Sequence, residues 1–137
     1  MPHQHTPGAP YRPRIDLPYD KPPITANQKF RHWAERARLV KNVRETTTWL
    51  AKAAGLPKHA TRVIVQLHWR PKVNRRRDTV NLYPTVKAAV DGLVDYGLVP
   101  DDTHDIVSTP EPIIHPAEKN RAGSVWLTID FPEGTPA

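Results

Sequence analysis

Apolar and polar residues alternate along two segments of the chain, 62–69 and 125–131. A period of two residues is typical of a β-strand that buries one face and exposes the other. His68 falls on the polar face of the first of these strands, so we expect an exposed histidine there rather than a metal ligand. Shorter segments predict three further strands, at 15–19, 105–109 and 113–115.

A helical period replaces this alternation from Gln28 to about Ala54. Thr25 and Gln28 have the spacing of a capping box, and Asn27 is a second candidate N-cap. The threonine run 46–48 lowers helix propensity and allows a break or kink, and the glycine that follows Ala54 ends the element. The predicted core stripe of this helix consists of Phe30, Trp33, Ala37, Val40, Thr47, Leu50 and Ala54.

A second helix is predicted from Pro84, whose missing N–H costs nothing in a first turn, to the capping glycine Gly97. Its apolar residues follow the spacing i, i+3, i+4, i+7 and i+8 and are Val86, Ala89, Val90, Leu93 and Val94. The order strand, long helix, strand, helix and further strands predicts an α/β (α+β) fold. We expect a compact single domain in which two main helices pack on a small mixed sheet.

The chain has 137 residues, enough for one hydrophobic core. Its sixteen prolines cluster at the two ends, where apolar residues are scarce. We therefore expect disordered tails at 1–14 and 132–137, on either side of a folded domain at 15–131. His3 and His5 belong to the first tail and are interpreted as incidental rather than as a metal site.

The net charge of +6 and the isoelectric point near 9.8 favour a polyanionic partner. Between residues 70 and 77 the cations concentrate into one run, formed by Arg70, Lys72, Arg75, Arg76 and Arg77. A solvated basic loop is the alternative interpretation. Contact with phosphate is favoured because the run directly adjoins acidic residues.

Several classes of protein are excluded by composition. The chain contains no cysteine, so it has no disulfide, no thiolate zinc site and no cysteine nucleophile. No apolar run approaches the roughly 20 residues that a membrane span requires, and no secretory signal is visible. We expect a cytoplasmic protein.

Acidic residues lie on both sides of the second predicted helix. Asp78 precedes it, Asp101-Asp102 follow it, and Lys87 and Asp91 project from one of its faces because they are four residues apart. Such carboxylates hold Mg²⁺ for phosphodiester hydrolysis, and a lysine orients the attacking water or neutralises charge. The alternative for Lys87 and Asp91 is a surface ion pair. A regular helix separates Lys87 from the aspartate pair by about 15 Å along its axis.

Three blocks of sequence carry a family resemblance: Arg75-Arg76-Arg77-Asp78-x-x-Asn81-Leu82, then Lys87-Ala88-Ala89-Val90-Asp91-Gly92-Leu93, then Gly97 with Asp101-Asp102. Together they resemble the signature of RusA-like Holliday junction resolvases. The earlier segment Leu17-Pro18-Tyr19-x-Lys21-Pro22-Pro23 with Asn27 is similar to that family's opening strand and turn. The likeness covers most of 15–131. This form of the motifs resembles the family members found in actinobacterial phages and prophages.

The resemblance implies a small homodimeric endonuclease that depends on Mg²⁺, with Mn²⁺ as a substitute, and nicks four-way DNA junctions symmetrically in recombination and repair. It implies no small-molecule cofactor and no membrane partner. It assigns catalysis to Asp78, Lys87 and Asp102, metal ligation to Asp78, Asp101 and Asp102, accessory roles to Asp91 and Asn81, and DNA contacts to Arg75, Arg76 and Arg77. The run of cations adds Arg70 and Lys72 to the expected DNA contacts.

Two features depart from the family pattern. Where the family reads Asp-x-Asp-Asn, this chain reads Asp78-Thr79-Val80-Asn81, and a valine cannot coordinate a cation. Loss of a supporting partner lowers metal affinity or activity by roughly 10–100-fold, so loss of a ligand should lower them by at least as much. The segment Tyr83-Pro84-Thr85 also makes the spacing from Asn81 to Lys87 longer than in the best-known form of the family. An active junction endonuclease and a weakened or inactive junction-binding homologue both stay open, and a basic interaction domain unrelated to junctions is a third reading.

Overall fold

A computed structural model of the chain describes residues 11–136. Its elements are β1 (Arg14–Leu17), α1 (Trp33–Ala54), β2 (Val63–Arg70), a short 3₁₀ helix (Thr79–Leu82), α2 (Tyr83–Tyr96), β3 (Val107–Ser108), β4 (Ile113–Ile114) and β5 (Ser124–Asp130). Two helices on a five-stranded mixed sheet confirm the predicted α/β (α+β) fold for this region. Among the described residues, no helix combines the length and the apolar character that a bilayer crossing demands.

The centre of the sheet is the antiparallel pair β2 and β5. β1 adds to the other side of β5, also antiparallel. The short strands β3 and β4 pair one after the other with the free side of β2, and both run parallel to it. β2 is therefore paired on both sides, and the arginine-rich loop that follows Arg70 leaves the sheet from its interior rather than from an edge.

Both helices pack on one face of the sheet. That face carries the alternating residues of the prediction, which are buried: Val63, Val65 and Leu67 on β2, and Val125, Leu127 and Ile129 on β5. α1 and α2 approach closely at Gly92, where an added Cβ would lie 2.4 Å from the carbonyl oxygen of Arg44. The Thr48 hydroxyl donates to the Gly92 carbonyl over 2.8 Å at the same contact. Glycine is required there because no side chain fits between the helices.

α1 begins later than predicted, at Trp33 rather than at Gln28. The capping-box contact does form, since the Thr25 N–H donates to Gln28 Oε1 over 3.2 Å, but it closes an isolated turn. The neighbouring Ala26 N–H donates to the Asn81 carbonyl over 2.9 Å, which ties this segment to the start of α2 instead. Trp33 is 84% exposed, so the predicted core stripe is wrong at its start. The buried residues of α1 are Val43, Thr47 and Ala51.

The threonine run 46–48 does not interrupt α1. The Thr47 hydroxyl donates to the Val43 carbonyl over 2.7 Å, and the Thr48 hydroxyl shares its one proton between the Gly92 carbonyl and the Arg44 carbonyl, which lies 3.0 Å away. These bonds satisfy the hydroxyl groups inside the helix, so the low propensity of threonine is tolerated. The helix ends as predicted, at Gly55 in the left-handed conformation.

His68 is buried, which contradicts the exposed position predicted for it; only 6% of the residue is accessible. Its Nδ1 lies 3.0 Å from Nε2 of His115, and its Nε2 lies 2.9 Å from the hydroxyl of Thr128. The ring of Trp126 stacks on both imidazoles, with centroids 5.3 Å and 5.0 Å away, and the Arg14 guanidinium lies 4.2 Å from the Trp126 ring centre. The polar face of the sheet is thus closed by its own side chains, which the alternation along β2 does not indicate.

The flanks of the predicted domain lie partly outside the described residues, among them His3, His5 and Ala137. The folded region begins before the predicted Ile15, because β1 starts at Arg14 and the Arg12 guanidinium lies 3.0 Å from a carboxylate oxygen of Asp130. After β5 the chain makes a turn in which the N–H of Gly134 donates to the Phe131 carbonyl over 3.0 Å. The disorder predicted for both tails stays a prediction.

A buried threonine joins the segment before α1 to the first turn of α2. The hydroxyl of Thr85 donates to the carbonyl of Ile24 over 2.7 Å and accepts from the N–H of the same residue over 3.1 Å. Both residues are completely inaccessible to water. These two bonds therefore satisfy backbone groups that solvent does not reach.

We expect the isosteric change Thr85→Val to lower the free energy of unfolding by about 1–3 kcal/mol, because it leaves both backbone groups of Ile24 buried without this partner. Urea denaturation followed by circular dichroism measures the change. Thr61→Val is the control, since Thr61 is exposed and should tolerate the substitution. Equal stabilities of the two variants would contradict the role assigned to Thr85.

The buried imidazole predicts a pH dependence of stability. Burial, followed by the charges of His115, Arg12 and Arg14, lowers the pKa of His68 from 6.5 to about 4. Between pH 6.5 and pH 4 the unfolded chain therefore binds a proton at His68 that the folded chain does not bind. The contribution of the neutral imidazole to stability is complete above pH 6.5 and is lost as the pH falls toward 4. We expect a loss of about 3 kcal/mol from this group by pH 4.

Equilibrium unfolding of the wild type and of His68→Gln across pH 4 to 7 tests this dependence. The variant should be less stable at pH 7 but should show a shallower fall in stability on acidification. His104→Gln, which changes an exposed imidazole, should keep the wild-type slope. A wild-type slope in His68→Gln would show that another group is responsible.

Candidate nucleic-acid and metal site

A groove of about 710 Å³ opens where the arginine-rich loop leaves β2. We call it the arginine groove, and its lining residues are Thr25, Asn27, Trp69, Arg76, Arg77, Asp78, Thr79, Asn81, Leu82 and Glu111. Three separate parts of the chain form it: the segment before α1, the region from the end of β2 to the 3₁₀ helix, and the segment before β4. Its lining combines cations, carboxylates, amides and one indole ring.

The loop after β2 positions the arginines differently. Arg77 lies over Trp69, with its guanidinium carbon 4.7 Å from the ring centre, and its Nη1 donates to the Val73 carbonyl over 3.0 Å. Arg76 is exposed and lines the arginine groove. Arg75 is also exposed but is not part of the lining. Arg77 is thus held in place by its neighbours, while the side chain of Arg76 makes no hydrogen bond or ion pair within residues 11–136.

The other two predicted DNA contacts lie outside the groove lining. Arg70 is directed toward Glu118, with 3.2 Å between the guanidinium and the carboxylate, and only 16% of its side chain is accessible. Lys72 is exposed in the loop. Of the five predicted cations, Arg76 and Arg77 are therefore the ones that the structure brings to the candidate site.

Asp78 lies at the rim of the arginine groove and is exposed. One of its carboxylate oxygens accepts from the N–H of Val80 over 3.1 Å, which leaves the other oxygen for a ligand. Val80 itself is 56% exposed. This valine, at the position where the RusA-like pattern has a second aspartate, therefore faces solvent, and its position has room for a carboxylate.

Glu111 is a carboxylate of the groove that the sequence did not indicate. It lines the arginine groove together with Asp78, and its Oε1 accepts from the hydroxyl of Thr79 over 2.6 Å. Thirty-three positions separate Glu111 from Asp78 along the chain, so no motif spacing connects them. The one signal in the sequence is its place between two prolines, immediately before the strand β4 that pairs with the end of β2.

Lys87 and Asp102 line a second cavity of about 300 Å³, which we call the lysine cleft. The other residues of its lining are Tyr83, Val86, Val90, His104, Val107 and Thr109. The Nζ of Lys87 donates to a carboxylate oxygen of Asp102 and, over 3.0 Å, to Asp91. The ion pair expected as the alternative for Lys87 and Asp91 does form, and Asp102 joins it.

The chain reverses after α2, which is why Asp102 reaches Lys87 despite the axial separation expected of a regular helix. Gly97 ends α2 in the left-handed conformation, with φ of 99°. Leu98 and Val99 are then buried in the core, which directs the chain back along the helix. Asp101 is exposed, and its carboxylate accepts from the N–H of Asp102 over 2.8 Å.

Electrostatics fix the charge states in the lysine cleft. The hydrogen bond to Asp102, and then that to Asp91, raises the pKa of Lys87. The same lysine lowers the pKa of Asp102. Lys87 is therefore a cation near neutral pH, a state suited to holding a phosphate or neutralising developing charge and unsuited to accepting a proton.

The arginine groove and the lysine cleft adjoin each other. Leu82 lines the arginine groove, and the next residue, Tyr83, lines the lysine cleft. On a second segment, Glu111 lines the groove and Thr109 lines the cleft. Within residues 11–136, however, no three His, Asp or Glu side chains gather as ligands of one metal ion. The structure does not bring together the three predicted ligands Asp78, Asp101 and Asp102.

The donor set of the arginine groove nevertheless suits a hard cation. Asp78 and Glu111 offer carboxylate oxygens in one groove with two arginines. Mg²⁺ is commonly held by one or two carboxylates together with substrate phosphates, rather than by a cage of protein ligands alone. These residues fit a cation that binds with the phosphate backbone.

Comparison with known protein families gives no matching family model. No curated protein matches the chain significantly. The likeness to RusA-like resolvases rests on the blocks of sequence quoted above and stays a prediction.

The lysine cleft predicts a change in the pKa of Asp102. Replacing Lys87 with methionine removes the hydrogen bond that lowers this pKa, so we expect the pKa of Asp102 to rise toward its ordinary range. A carboxyl-detected NMR titration measures the shift. Lys119→Met is the control, because Lys119 is exposed and far along the chain from Asp102. An unchanged pKa in Lys87→Met would mean that the pair does not form in solution.

Proposed function

We propose that the chain is a structure-specific endodeoxyribonuclease of the RusA-like type, which resolves four-way DNA junctions by paired symmetric nicks. The observation that carries this proposal is the arginine groove, where Arg76 and Arg77 share one lining with the carboxylates of Asp78 and Glu111. Cations that hold a phosphate beside carboxylates that hold a metal are what phosphodiester hydrolysis requires. The quoted sequence blocks support the same reading.

In this proposal the protein's own residues position the DNA backbone. Arg76 contacts a phosphate, and Arg77 adds a guanidinium that Trp69 keeps in place. Asn27 and Asn81 provide amide groups for hydrogen bonds to the sugar–phosphate chain. Lys87, a cation in the adjoining lysine cleft, neutralises charge that develops on the phosphate during cleavage.

The metal of this proposal is Mg²⁺, with Mn²⁺ as a substitute. When bound, it supplies Lewis-acid chemistry that acidifies a water and neutralises charge on phosphate oxygens. Asp78 would hold it; the family resemblance also implies Asp101 and Asp102 as ligands, but neither lines the groove of Asp78. Glu111 extends this set with a carboxylate in the groove of Asp78, where Val80 supplies none.

Two symmetric nicks in one junction require two equivalent sites, so the proposed enzyme acts as a homodimer. Its partner is junction DNA in the cytoplasm of a bacterium, or of a host cell if a phage encodes it. It needs neither a small-molecule cofactor nor a membrane.

A second candidate function is a junction-binding protein that cleaves weakly or not at all. Two observations favour it: Val80 stands where a ligand is expected, and Lys87 already engages the carboxylate of Asp102. Binding would then rest on the arginines alone and would persist without a metal.

A cleavage assay on a synthetic four-way junction with Mg²⁺ or Mn²⁺ separates the two candidates. We expect the wild type to nick the junction, Asp78→Asn to lose at least roughly 100-fold in rate, and Val80→Asp to gain roughly 10–100-fold because a ligand is restored. Val73→Asp is the matched control: it adds the same charge to another exposed valine of the loop region and should gain nothing.

Cleavage by Val80→Asp alone would support the second candidate. Absence of cleavage by every variant with either metal would remove the endonuclease proposal.

Binding of junction DNA should weaken steeply with salt, because contacts to phosphates release counterions. We expect Arg76→Ala to reduce the slope of log affinity against log salt by about 1, since it removes one phosphate contact. Fluorescence anisotropy with a labelled junction measures this slope. Lys58→Ala removes an exposed cation that does not line the groove and should keep the wild-type slope. A flat salt response of the wild type would count against both candidate functions.

A further inference from the structure

A second surface combines cations with an exposed aromatic ring at the start of α1. We call it the Trp33 patch and define it by Lys29, Arg31, Trp33 and Arg36. Trp33 is the most exposed of the large apolar side chains in the described region, with 84% of the residue accessible. It lies at one end of a shallow groove of about 560 Å³, whose lining continues through Arg36, Ala37, Val40, Lys41, Arg44, Glu45 and Asp95.

The three cations of the Trp33 patch are free within residues 11–136. Neither Lys29 nor Arg31 nor Arg36 makes an ion pair there, and all three are exposed. Further along the groove the cations are paired: Lys41 lies 3.8 Å from Glu45, and Arg44 donates to Asp95 over 2.8 Å. The unpaired positive charge is therefore concentrated beside the indole.

A second exposed tryptophan on the same helix shows what is distinctive about Trp33. Trp49 is 67% exposed, and the ammonium group of Lys52 lies 5.3 Å from its ring centre. No ring or cation stacks on Trp33 among the residues that the structure describes. Trp33 therefore offers a bare aromatic face. Arg36 lines the same groove, and Lys29 and Arg31 precede Trp33 by a few positions along the chain.

We propose that the Trp33 patch binds unpaired nucleotides of single-stranded DNA, with a base stacked on Trp33 and the flanking phosphates on Arg36, Arg31 and Lys29. A basic surface with an exposed aromatic ring is the combination that holds single strands without sequence preference. Base pairs in a duplex hide their faces against each other, so an exposed indole selects nucleotides that are not stacked. This inference rests on the proposed function only in taking DNA as the partner.

Charge favours a nucleic acid over a second copy of the chain on this surface. Two Trp33 patches brought face to face would place six unpaired cations together, opposed only by Glu35 of each copy within the segment 29–36. A polyanion neutralises the same cations. None of the four residues that define the Trp33 patch lines the arginine groove.

Fluorescence anisotropy with a labelled 15-nucleotide oligothymidylate tests the proposal on the full chain at low salt. We expect Trp33→Ala to weaken binding about tenfold or more, and Trp33→Phe to stay within about threefold of the wild type because stacking is kept. Trp49→Ala is the matched control and should bind like the wild type. Arg36→Ala should weaken binding and lower the salt slope by about 1.

Three results would overturn the proposal. The first two are wild-type affinity in Trp33→Ala and no binding of the oligonucleotide by the wild type. The third is loss of a dimer in Trp33→Ala, measured by analytical ultracentrifugation, with oligonucleotide binding unchanged, which would identify the surface as a contact between copies. Arg76→Ala separates this inference from the proposed function, because it should weaken binding of a junction and leave binding of the oligonucleotide to the Trp33 patch in place. If oligonucleotide binding depends on Trp33 while no variant binds or cuts a junction, the proposed function fails and the single-strand site stands. If the protein binds and cuts a junction while oligonucleotide binding does not depend on Trp33, only the single-strand site is contradicted.

Discussion

The pair of hydrogen bonds between the Thr85 hydroxyl and the Ile24 backbone is the constraint on which the candidate site depends. It fastens the segment before α1 to the first turn of α2, at a point that water does not reach. The N–H of Ala26 then bonds to the carbonyl of Asn81, so that segment also holds the 3₁₀ helix. The segment before α1 and the 3₁₀ helix, which this contact holds together, each form one wall of the arginine groove. The buried position makes the contact strong, because neither backbone group has an alternative in solvent.

Charge is divided between two neighbouring cavities. The arginine groove holds Asp78 and Glu111 beside two arginines, and the lysine cleft holds Lys87 between Asp91 and Asp102. In the cleft the charges satisfy each other within the protein, whereas the groove keeps Arg76 and an oxygen of Asp78 available. This division explains why the groove suits a phosphate backbone. It also keeps Lys87 protonated near neutral pH, a state unsuited to accepting a proton.

The predictions succeeded where a local period or a local cap decides the structure. The alternation of Val63, Val65 and Leu67 gave the buried face of β2, and Pro84 with Gly97 gave the limits of α2 to within a residue. They failed where a residue's partner lies far along the chain. His68 was expected on an exposed face, but it is buried by Trp126, Thr128 and His115, which β5 and the segment after β4 bring to it.

The sequence by itself determined most of the elements, the basic character of the chain and the identity of most candidate residues, because periodicity, capping and composition act over a few neighbouring positions. Only the tertiary structure decided which of these residues meet. It joined Asp102 to Lys87 through the reversal after Gly97, placed Glu111 beside Asp78, and left Trp33 outside the core. The physical reason is that such contacts depend on how strands and helices pack, and packing brings together side chains whose separation along the chain carries no signal.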